Sequence, residues 1–317
     1  MNKSQHSFSI VIPTYNHANF LSKALQSVID QHHQAWEAIV IDNHSSDNTD
    51  DVIQSFNDSR IKLHKIHNNG VIGASRNLGI KLAAHDWVAF LDSDDIWYPS
   101  RLTEVCKMLS TTSKHDVVST NEYKVFHNNK KKKLLHYGPL AKNAYKHMLL
   151  YGNRLSPSAT IVRKSFLENH NIFFNESKNF ITVEDYDFWL QLAFNKADFK
   201  FIHSVQGEYL VHASNNSSRE EIHKKNEIHL LNHHIFDFQT FTNNKTKLKK
   251  RIDCRLKLHS SIYYLRKMNF SSFIVNLLKA IIKFPLQSLT YLFERLYSKL
   301  YNKFSTILFS VKAYNKN

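Results

Sequence analysis

The chain of 317 residues is poor in the residues that make turns and crosslinks, with six Gly, five Pro and two Cys. So few Gly and Pro argue against a linker-rich chain and against an all-β fold with many tight turns. Cys106 and Cys254 are far apart and form no C-x-x-C motif, so neither a zinc site nor a disulfide framework is indicated. No apolar segment precedes the first predicted strand, which predicts a cytoplasmic protein without a signal peptide.

Positive charge is concentrated at the C-terminal end. The net charge is +15, and residues 245–317 contain 16 of the 42 Lys and Arg but only two acids, Asp253 and Glu294. The preceding residues are nearly balanced in charge. The sequence therefore predicts two parts, residues 1–215 and residues 216–317.

The basic C-terminal part also carries Leu, Ile and Phe at helical spacing, in two stretches that are separated at Pro285. Lys and Arg interrupt the apolar surface, and no run reaches the 18–20 apolar residues of a spanning helix. Basic, aromatic and leucine-rich helices are typical of peripheral anchors on an anionic membrane. The alternative is that the apolar stripe, from Phe273 to Ile307, packs against the first part or a second subunit.

Strands and helices alternate through the first part of the chain. Predicted strands are 7–12, 38–41, 61–66 and 87–91, and predicted helices are 19–31, a segment around 52–56, and 72–84. Later segments are a helix over 101–109, two strands over 116–119 and 122–126, and a helix over 182–195. This alternation predicts an α/β fold with a mostly parallel sheet and helices on both faces.

A cluster of acids follows the fourth predicted strand. Asp92, Ser93, Asp94 and Asp95 come directly after an apolar run. Neighbouring carboxylates repel each other and are costly to desolvate, so such a cluster indicates a cation among them. A hard divalent ion that holds a polyphosphate suits these oxygen ligands. The alternative is that Ser93 or Asp94 caps the helix that follows.

Polar residues follow two other strands in the same way. Pro13, Thr14, Tyr15 and Asn16 end the first strand, and Asp42 ends the second. Because parallel strands place their carboxyl ends at one edge of a sheet, these residues are expected to meet the acid cluster there. Three polar strand ends at one edge predict a nucleotide site.

With these motifs in place, the chain resembles glycosyltransferase family 2 of the GT-A fold, of the bacterial cell-surface polysaccharide type. The resemblance covers about residues 7–215. It rests on ordered motifs: 11–16 (VIPTYN), 41–49 (IDNHSSDNT), 73–79 (GASRNLG), 90–95 (FLDSDD), 184–185 (ED) and 209–212 (YLVH). It implies transfer of a sugar from a nucleoside diphosphate sugar to an acceptor hydroxyl, with inversion.

The resemblance also implies roles for particular residues. The nucleotide would be bound by Pro13, Thr14, Tyr15, Asn16, Asp42, Arg76, Asp92 and Ser93, with Asp42 on the base and Arg76 beside the diphosphate. Mn²⁺ or Mg²⁺ would be held by Asp94, Asp92 and His212. Asp185 would be the general base, and the neighbouring Glu184 is the alternative for that role or would orient the acceptor. The simpler alternatives are a turn residue at Asp42, a surface ion pair at Arg76, and first-turn charges at Glu184 and Asp185.

The implied enzyme is a hexosyl- or N-acetylhexosaminyltransferase that uses a UDP-sugar and a lipid-linked saccharide acceptor at the cytoplasmic face of the membrane. Three alternatives remain open at this point. The chain could be a catalytically silent partner protein, it could bind nucleic acid through its basic end, or it could transfer a nucleotidyl group and release pyrophosphate. The apolar stripe disfavours nucleic acid, because an electrostatic groove does not need one.

Overall fold

The computed structural model describes residues 6–111, 114–126, 132–138, 140–212, 220–286 and 288–289. The chain divides into two compact units, Met1–Leu231 and Asn232–Asn317. The domain boundary that the sequence suggested after residue 215 stays a prediction. Each unit is described by itself below.

The first unit is built on one large sheet. Its strands are β1 Phe8–Thr14, β2 Trp36–Asp42, β3 Ile61–Lys65, β4 Trp87–Phe90, β5 Ile96–Trp97, β6 Val117–Phe126, β7 Lys132–Leu135, β8 Thr160–Arg163 and β9 Phe199–Val211. Its helices are α1 Ala18–Ile29, α2 Thr49–Ser55, α3 Ile72–Leu82, α4 Arg101–Leu109, α5 Ala144–Tyr151, α6 Lys164–His170 and α7 Glu184–Phe194, followed by α8 Glu220–His233.

The described strands lie in the order β3-β2-β1-β4-β8-β6-β9-β5, with β7 on the outer part of β6. The first four are parallel, as predicted, and β6 is parallel to β9. Antiparallel pairings of β8, β7 and β5 make the sheet mixed, although most paired residues are in parallel pairs. The α/β fold expected from the alternation is confirmed.

The two strands predicted at 116–119 and 122–126 are a single strand, β6, and this prediction was wrong. Thr120 and Asn121 suggested a break because they are polar, but both are buried in the sheet. Their side chains are used there: Thr120 Oγ1 accepts a hydrogen bond from Arg101, and Asn121 donates one to the carbonyl of His203. The register against β9 shifts at this point, as at a β-bulge.

The core lies where α1 covers the parallel strands. β1 and β2 are buried along their whole length, which explains their continuous apolar sequences. Leu21, Leu25 and Val28 recur at helical spacing on α1 and are fully buried. Each such side chain contributes about 1.5–3 kcal/mol when it is removed from water. This packing holds the ends of the strands in a fixed arrangement.

In its described residues, the second unit has a π-helical turn, His234–Phe238, and the helices α9 Lys245–Arg266 and α10 Phe270–Lys283. α10 packs on α9 through a small core of Cys254, Leu258, Ala280 and Phe284. No helix in the described part of the chain is long and apolar enough to cross a membrane. The stripe expected from Leu289 to Ile307 lies, apart from Leu289, outside the described residues.

Gly79 allows α3 to pack closely on β1, and we expect Gly79→Ala to destabilise the protein. A Cβ at this position would lie 2.7 Å from Val11 Cγ2 and 3.0 Å from Val11 Cβ. Ala normally stabilises a helix relative to Gly by about 1 kcal/mol. Here overpacking should reverse the sign and lower the free energy of unfolding by about 1–3 kcal/mol, measured by urea denaturation.

The control is the double variant Val11→Ala/Gly79→Ala. Because Val11→Ala removes the methyl groups that the new Cβ would meet, the double variant should lose less stability than the sum of the single variants. An increase in stability for Gly79→Ala alone would contradict the packing described here.

Candidate active site

The polar ends of three strands meet at one edge of the sheet, as the sequence predicted. Pro13 pairs with Ile41 and Thr14 with Asp42 where β1 and β2 end together. β4 runs parallel to the other side of β1 and leads into the acid cluster. Loops that leave this edge are therefore close to one another, which is the usual place for a ligand in such sheets.

The turns after β1 and β2 are tied together by side chains. Asn16 has a φ of 51° and accepts a hydrogen bond from Ser46 N at 2.8 Å through its side-chain oxygen. Asp42 is fully buried, and its carboxylate accepts bonds from Ser45 N at 3.1 Å and Ser45 Oγ at 2.5 Å. Tyr15, in the turn that these hydrogen bonds hold, is 55% exposed. Its ring is thus presented to solvent by a fixed turn.

The ends of β1, β2 and β3 place further polar residues near Asp42, and the sequence did not single out three of them, Lys65, His44 and His67. Lys65 Nζ is 3.8 Å from the Asp42 carboxylate. His44 and His67, in the loops after β2 and β3, stack with ring centroids 3.7 Å apart. Thr14 Oγ1 is buried and has no hydrogen-bond partner among the described residues. With twenty His in the chain, nothing in the sequence pattern distinguished this stacked pair.

The acid cluster after β4 meets the end of β9. Asp94 Oδ2 lies 2.8 Å from His212 Nε2, and both side chains are largely buried. The His212 ring stacks on Phe20 with centroids 4.7 Å apart. His17, which the sequence analysis missed, lies between these groups: its Nδ1 is 3.1 Å from Ser93 Oγ, and its ring is 5.7 Å from His212.

The environment of Asp94 suits a cation. Burial and the neighbouring charge of Asp92 both raise the pKa of Asp94 above its ordinary value. Among the described residues no group of three or more His, Cys, Asp and Glu is arranged to hold a metal ion. The structure thus brings together two members of the predicted set, Asp94 and His212. This fits Mn²⁺ or Mg²⁺, which are often bound by few protein ligands together with substrate phosphates and water.

Asp95 ties the acid cluster to neighbouring segments through hydrogen bonds. Its buried carboxylate accepts hydrogen bonds from Leu210 N at 2.9 Å and Ser158 Oγ at 2.5 Å. Ser158 Oγ also accepts a bond from Asp92 N at 3.0 Å. Since Leu210 lies two residues before His212, these bonds connect both sides of the Asp94–His212 contact. Ser158 lies in a loop without a sequence motif, so it could not be anticipated.

Arg76 lies between two carboxylates and is only 3% exposed. Its Nη2 donates to Asp92 Oδ1 at 2.7 Å, and its Nη1 donates to Glu184 Oε1 at 2.9 Å. The guanidinium carbon lies 5.3 Å from the ring centroid of Phe174. The two carboxylates raise the pKa of Arg76 despite its burial, so it stays charged. An ion pair is therefore present, as in the simpler alternative, but the pair is buried and does not lie at the surface.

Asp185 follows Glu184 in the first turn of α7 and is half-buried. Its carboxylate accepts hydrogen bonds from Asn153 Nδ2 at 3.0 Å and Tyr186 N at 2.7 Å. Burial, followed by the charge of Glu184, raises the pKa of Asp185 to about 7. A carboxylate with a pKa near neutrality can accept a proton effectively at physiological pH. Asn153, which orients it, was not predicted.

The segment before α7 has a constrained backbone. Thr182 has a φ of 71°, a left-handed conformation that is unfavourable for a β-branched residue. The segment is held by α8, because His223 Nδ1 lies 3.1 Å from the Thr182 carbonyl and Asn226 donates to the Ile181 carbonyl at 2.9 Å. Local strain of this kind costs about 1–3 kcal/mol and is concentrated at functional sites.

Comparison with known proteins indicates the family and the fold of the chain. The model of the family "Glycosyl transferase family 2" matches residues 9–178. The chain is 42% identical over 102 residues to WfgD of Escherichia coli, a UDP-Glc:alpha-D-GlcNAc-diphosphoundecaprenol beta-1,3-glucosyltransferase. That match covers 32% of this chain and 40% of WfgD, so the chain spans only part of the length of such curated relatives.

Two solved structures have a similar fold. One is Staphylococcus aureus TarS 1–349 in complex with UDP-GlcNAc, with a TM-score of 0.64, 18% identity, and coverage of 86% of this chain and 91% of that one. The other is the mannosyltransferase PcManGT of Pyrobaculum calidifontis with GDP-Man and Mn²⁺, with a TM-score of 0.61, 15% identity, and coverage of 96% and 83%. The fold, the ordered strand-end motifs and the family match over more than half of the chain show that it belongs to glycosyl transferase family 2, with a GT-A fold.

Proposed function

We propose that this chain is an inverting glycosyltransferase that transfers a sugar from a UDP-sugar to a hydroxyl of a lipid-linked saccharide. The pathway would be synthesis of a cell-surface polysaccharide or lipopolysaccharide. The observation that carries the proposal is the pairing of two different carboxylate environments at one sheet edge. Asp94 faces His212 in a place that suits a cation, and Asp185 has a pKa raised to about 7.

The donor side of the proposed site is formed by the ends of β1, β2 and β4. Tyr15 offers its exposed ring to the base, and the turn that Asn16 and Asp42 hold together forms the wall of the pocket. Asp92 faces the ribose. Asp94 and His212 would hold a Mn²⁺ or Mg²⁺ ion, which would supply positive charge to the departing nucleoside diphosphate.

The acceptor side is the start of α7. Asp185 takes the proton of the acceptor hydroxyl while that oxygen attacks the anomeric carbon from the face opposite the diphosphate. Asn153 holds one oxygen of Asp185 at 3.0 Å and so directs the carboxylate. The single displacement inverts the configuration at the anomeric carbon. No separate acid is needed, because the leaving diphosphate is stabilised as an anion.

The named relatives support the choice of substrates. WfgD is named for a UDP-Glc donor and a diphosphoundecaprenol-linked acceptor, and TarS was solved with UDP-GlcNAc. These names favour a UDP-sugar over the GDP-Man that is bound to PcManGT.

The donor is tested by measuring nucleoside diphosphate release from UDP-, GDP- and dTDP-sugars with Mn²⁺ or chelator. We expect release from a UDP-sugar that requires the metal and falls by roughly 10²-fold or more in Asp94→Ala, because an electrostatic stabiliser is lost. Asp30→Ala, which changes an exposed acid at the end of α1, serves as the control and should retain activity. The proposal would be wrong if the protein showed neither metal-dependent release of nucleoside diphosphate nor metal-dependent binding of UDP.

The raised pKa of Asp185 predicts an unusual acid limb in the pH profile of the rate. The base is active when deprotonated, so kcat should rise with pH through about 7 and level off above it. An ordinary Asp would place this limb near pH 4 (roughly its reference pKa). Asp185→Asn should abolish transfer but leave UDP binding intact.

Glu184→Gln tests whether the charge of Glu184 helps to raise the pKa of Asp185. It keeps an oxygen that can accept from Arg76 but removes the charge that helps to raise the Asp185 pKa. The acid limb should therefore move to lower pH in this variant. A limb near pH 4 in the unaltered protein would rule out the proposed electrostatics of the base.

The second unit is proposed to bind an anionic membrane surface peripherally, at the cytoplasmic face. On α10 the residues Phe270, Ile274, Leu278 and Ile282 recur every four positions and are 49–76% exposed. Lys residues are exposed on the same helix. An exposed apolar stripe flanked by basic side chains suits the interface of an anionic leaflet. It would bring the catalytic unit to a lipid-linked acceptor.

Replacement of two residues in this stripe tests the membrane proposal. Ile274→Glu/Leu278→Glu should reduce co-sedimentation of the full chain with phosphatidylglycerol vesicles more than tenfold. The reason is that two apolar side chains that would insert into the membrane become charged. Ile222→Glu/Ile228→Glu makes a comparable change on exposed positions of α8 and should bind as the unaltered chain does. Vesicle binding that survives the α10 changes would contradict the proposal, as would a stripe that is covered in a dimer.

A further inference from the structure

We propose that Arg76 is a positioning residue and not a ligand of the donor diphosphate. It would set the position of the acceptor-side helix α7 relative to the donor-side carboxylate Asp92. This inference rests on the proposed glycosyltransferase function. It differs from the expectation drawn from the family resemblance, which placed Arg76 beside the diphosphate.

The contacts of Arg76 leave little of it available to a ligand. Its two terminal nitrogens are already bound to Asp92 and Glu184, at 2.7 and 2.9 Å. Its Nε is buried and has no hydrogen-bond partner among the described residues, and the side chain is 3% exposed. A diphosphate has little access to the guanidinium, because only 3% of the side chain is exposed and both terminal nitrogens already donate to carboxylates.

The same contacts join parts of the chain that are far apart in sequence. Asp92 follows β4, Arg76 lies in α3, and Glu184 begins α7, so the Arg76–Glu184 bond spans 108 residues. Asp185 is the next residue after Glu184. The guanidinium of Arg76 therefore sets the distance between Asp92 and the proposed base Asp185.

Arginine is suited to this role and lysine is not. The planar guanidinium directs two N–H groups along fixed, diverging directions, whereas an ammonium is a compact point charge. The guanidinium and Glu184 are both buried, so losing the bond between them leaves a charge uncompensated rather than solvated. Glu184 Oε2 already has no hydrogen-bond partner among the described residues, which makes its single bond to Arg76 more important.

A small displacement of the base should affect the rate more than it affects donor binding. A misplacement of about 1 Å can cost roughly 10²-fold in rate when reacting groups must be aligned. Donor binding uses the ends of β1, β2 and β4, which Arg76 does not hold to one another. The two interpretations of Arg76 therefore predict opposite results for a lysine substitution.

The deciding variant is Arg76→Lys in the full chain, measured for UDP affinity with Mn²⁺ and for transfer or donor hydrolysis. We expect kcat to fall by roughly 10²-fold while the Kd for UDP stays within about threefold. A diphosphate ligand predicts the reverse, a weaker Kd for UDP, because lysine cannot reproduce the two-pronged contact of a guanidinium with phosphate. A weakened Kd with little change in kcat would overturn the inference, and so would an unchanged kcat.

Arg101→Lys is the matched control. Arg101 is also fully buried, but it donates to Thr120 and lies over the ring of Trp97, outside the proposed site. The Arg101→Lys variant shows how the loss of a buried guanidinium outside the site affects stability. We expect Arg101→Lys to lower the Tm without lowering kcat at temperatures where the protein is folded.

Glu184 provides a second test that leaves Arg76 in place, in case Arg76→Lys does not fold. Glu184→Gln keeps an acceptor for Arg76 and should retain more of kcat than Glu184→Ala, which removes the bridge. In a double-mutant cycle Arg76→Lys/Glu184→Ala should be no slower than the slower single variant. Equal kcat values for Gln and Ala at position 184, or additive losses in the cycle, would overturn the inference.

Failure of the proposed function gives a different pattern. If the unaltered chain neither binds UDP nor releases nucleoside diphosphate from any donor, the function itself is wrong and the inference falls with it. If the unaltered chain is active and only the Arg76 and Glu184 variants behave differently from expectation, the function stands and the positioning role alone is wrong.

Discussion

The crowding of carboxylates at one edge of the sheet is the constraint on which the rest of the site depends. Asp92, Asp94, Asp95, Glu184 and Asp185 all lie at this edge. Each charge that is withdrawn from water needs a compensating group. The compensation differs for each acid: Arg76 serves two of them, neutral hydroxyl and amide donors serve Asp95 and Asp185, and Asp94 meets an imidazole. These differences separate the chemical roles.

Under the proposed function, the division of the acids into two groups explains how one edge would support a two-substrate reaction. On one side Asp94 and His212 form a place for positive charge, as a diphosphate leaving group requires. On the other side burial and Glu184 raise the pKa of Asp185, as a base that works near neutral pH requires. The two carboxylates thus differ in environment as much as in position, and Arg76 connects the two sides.

The sequence predicts the parts of the site that follow directly from strand ends. Asp42, Asp92 and Asp94 were placed at one edge because parallel strands end together. The partners supplied from a distance were not predictable: the Arg76–Glu184 bond joins residues 108 positions apart, and Ser158 and Asn153 lie in loops without periodic pattern. β6 was divided in two because buried polar residues inside a strand look like a break when their partners are unknown.

The central claim is a single displacement between the donor side and Asp185, and the configuration of the first product tests it most directly. The measurement is ¹H NMR of the anomeric signal as the protein acts on an α-linked nucleotide sugar, with acceptor or with water in its place. A single displacement gives a β-linked product with acceptor, and with water it gives the free β-anomer first, the α-anomer appearing only through later mutarotation. An α-configured first product would require a double displacement or a different active site, and it would contradict the account.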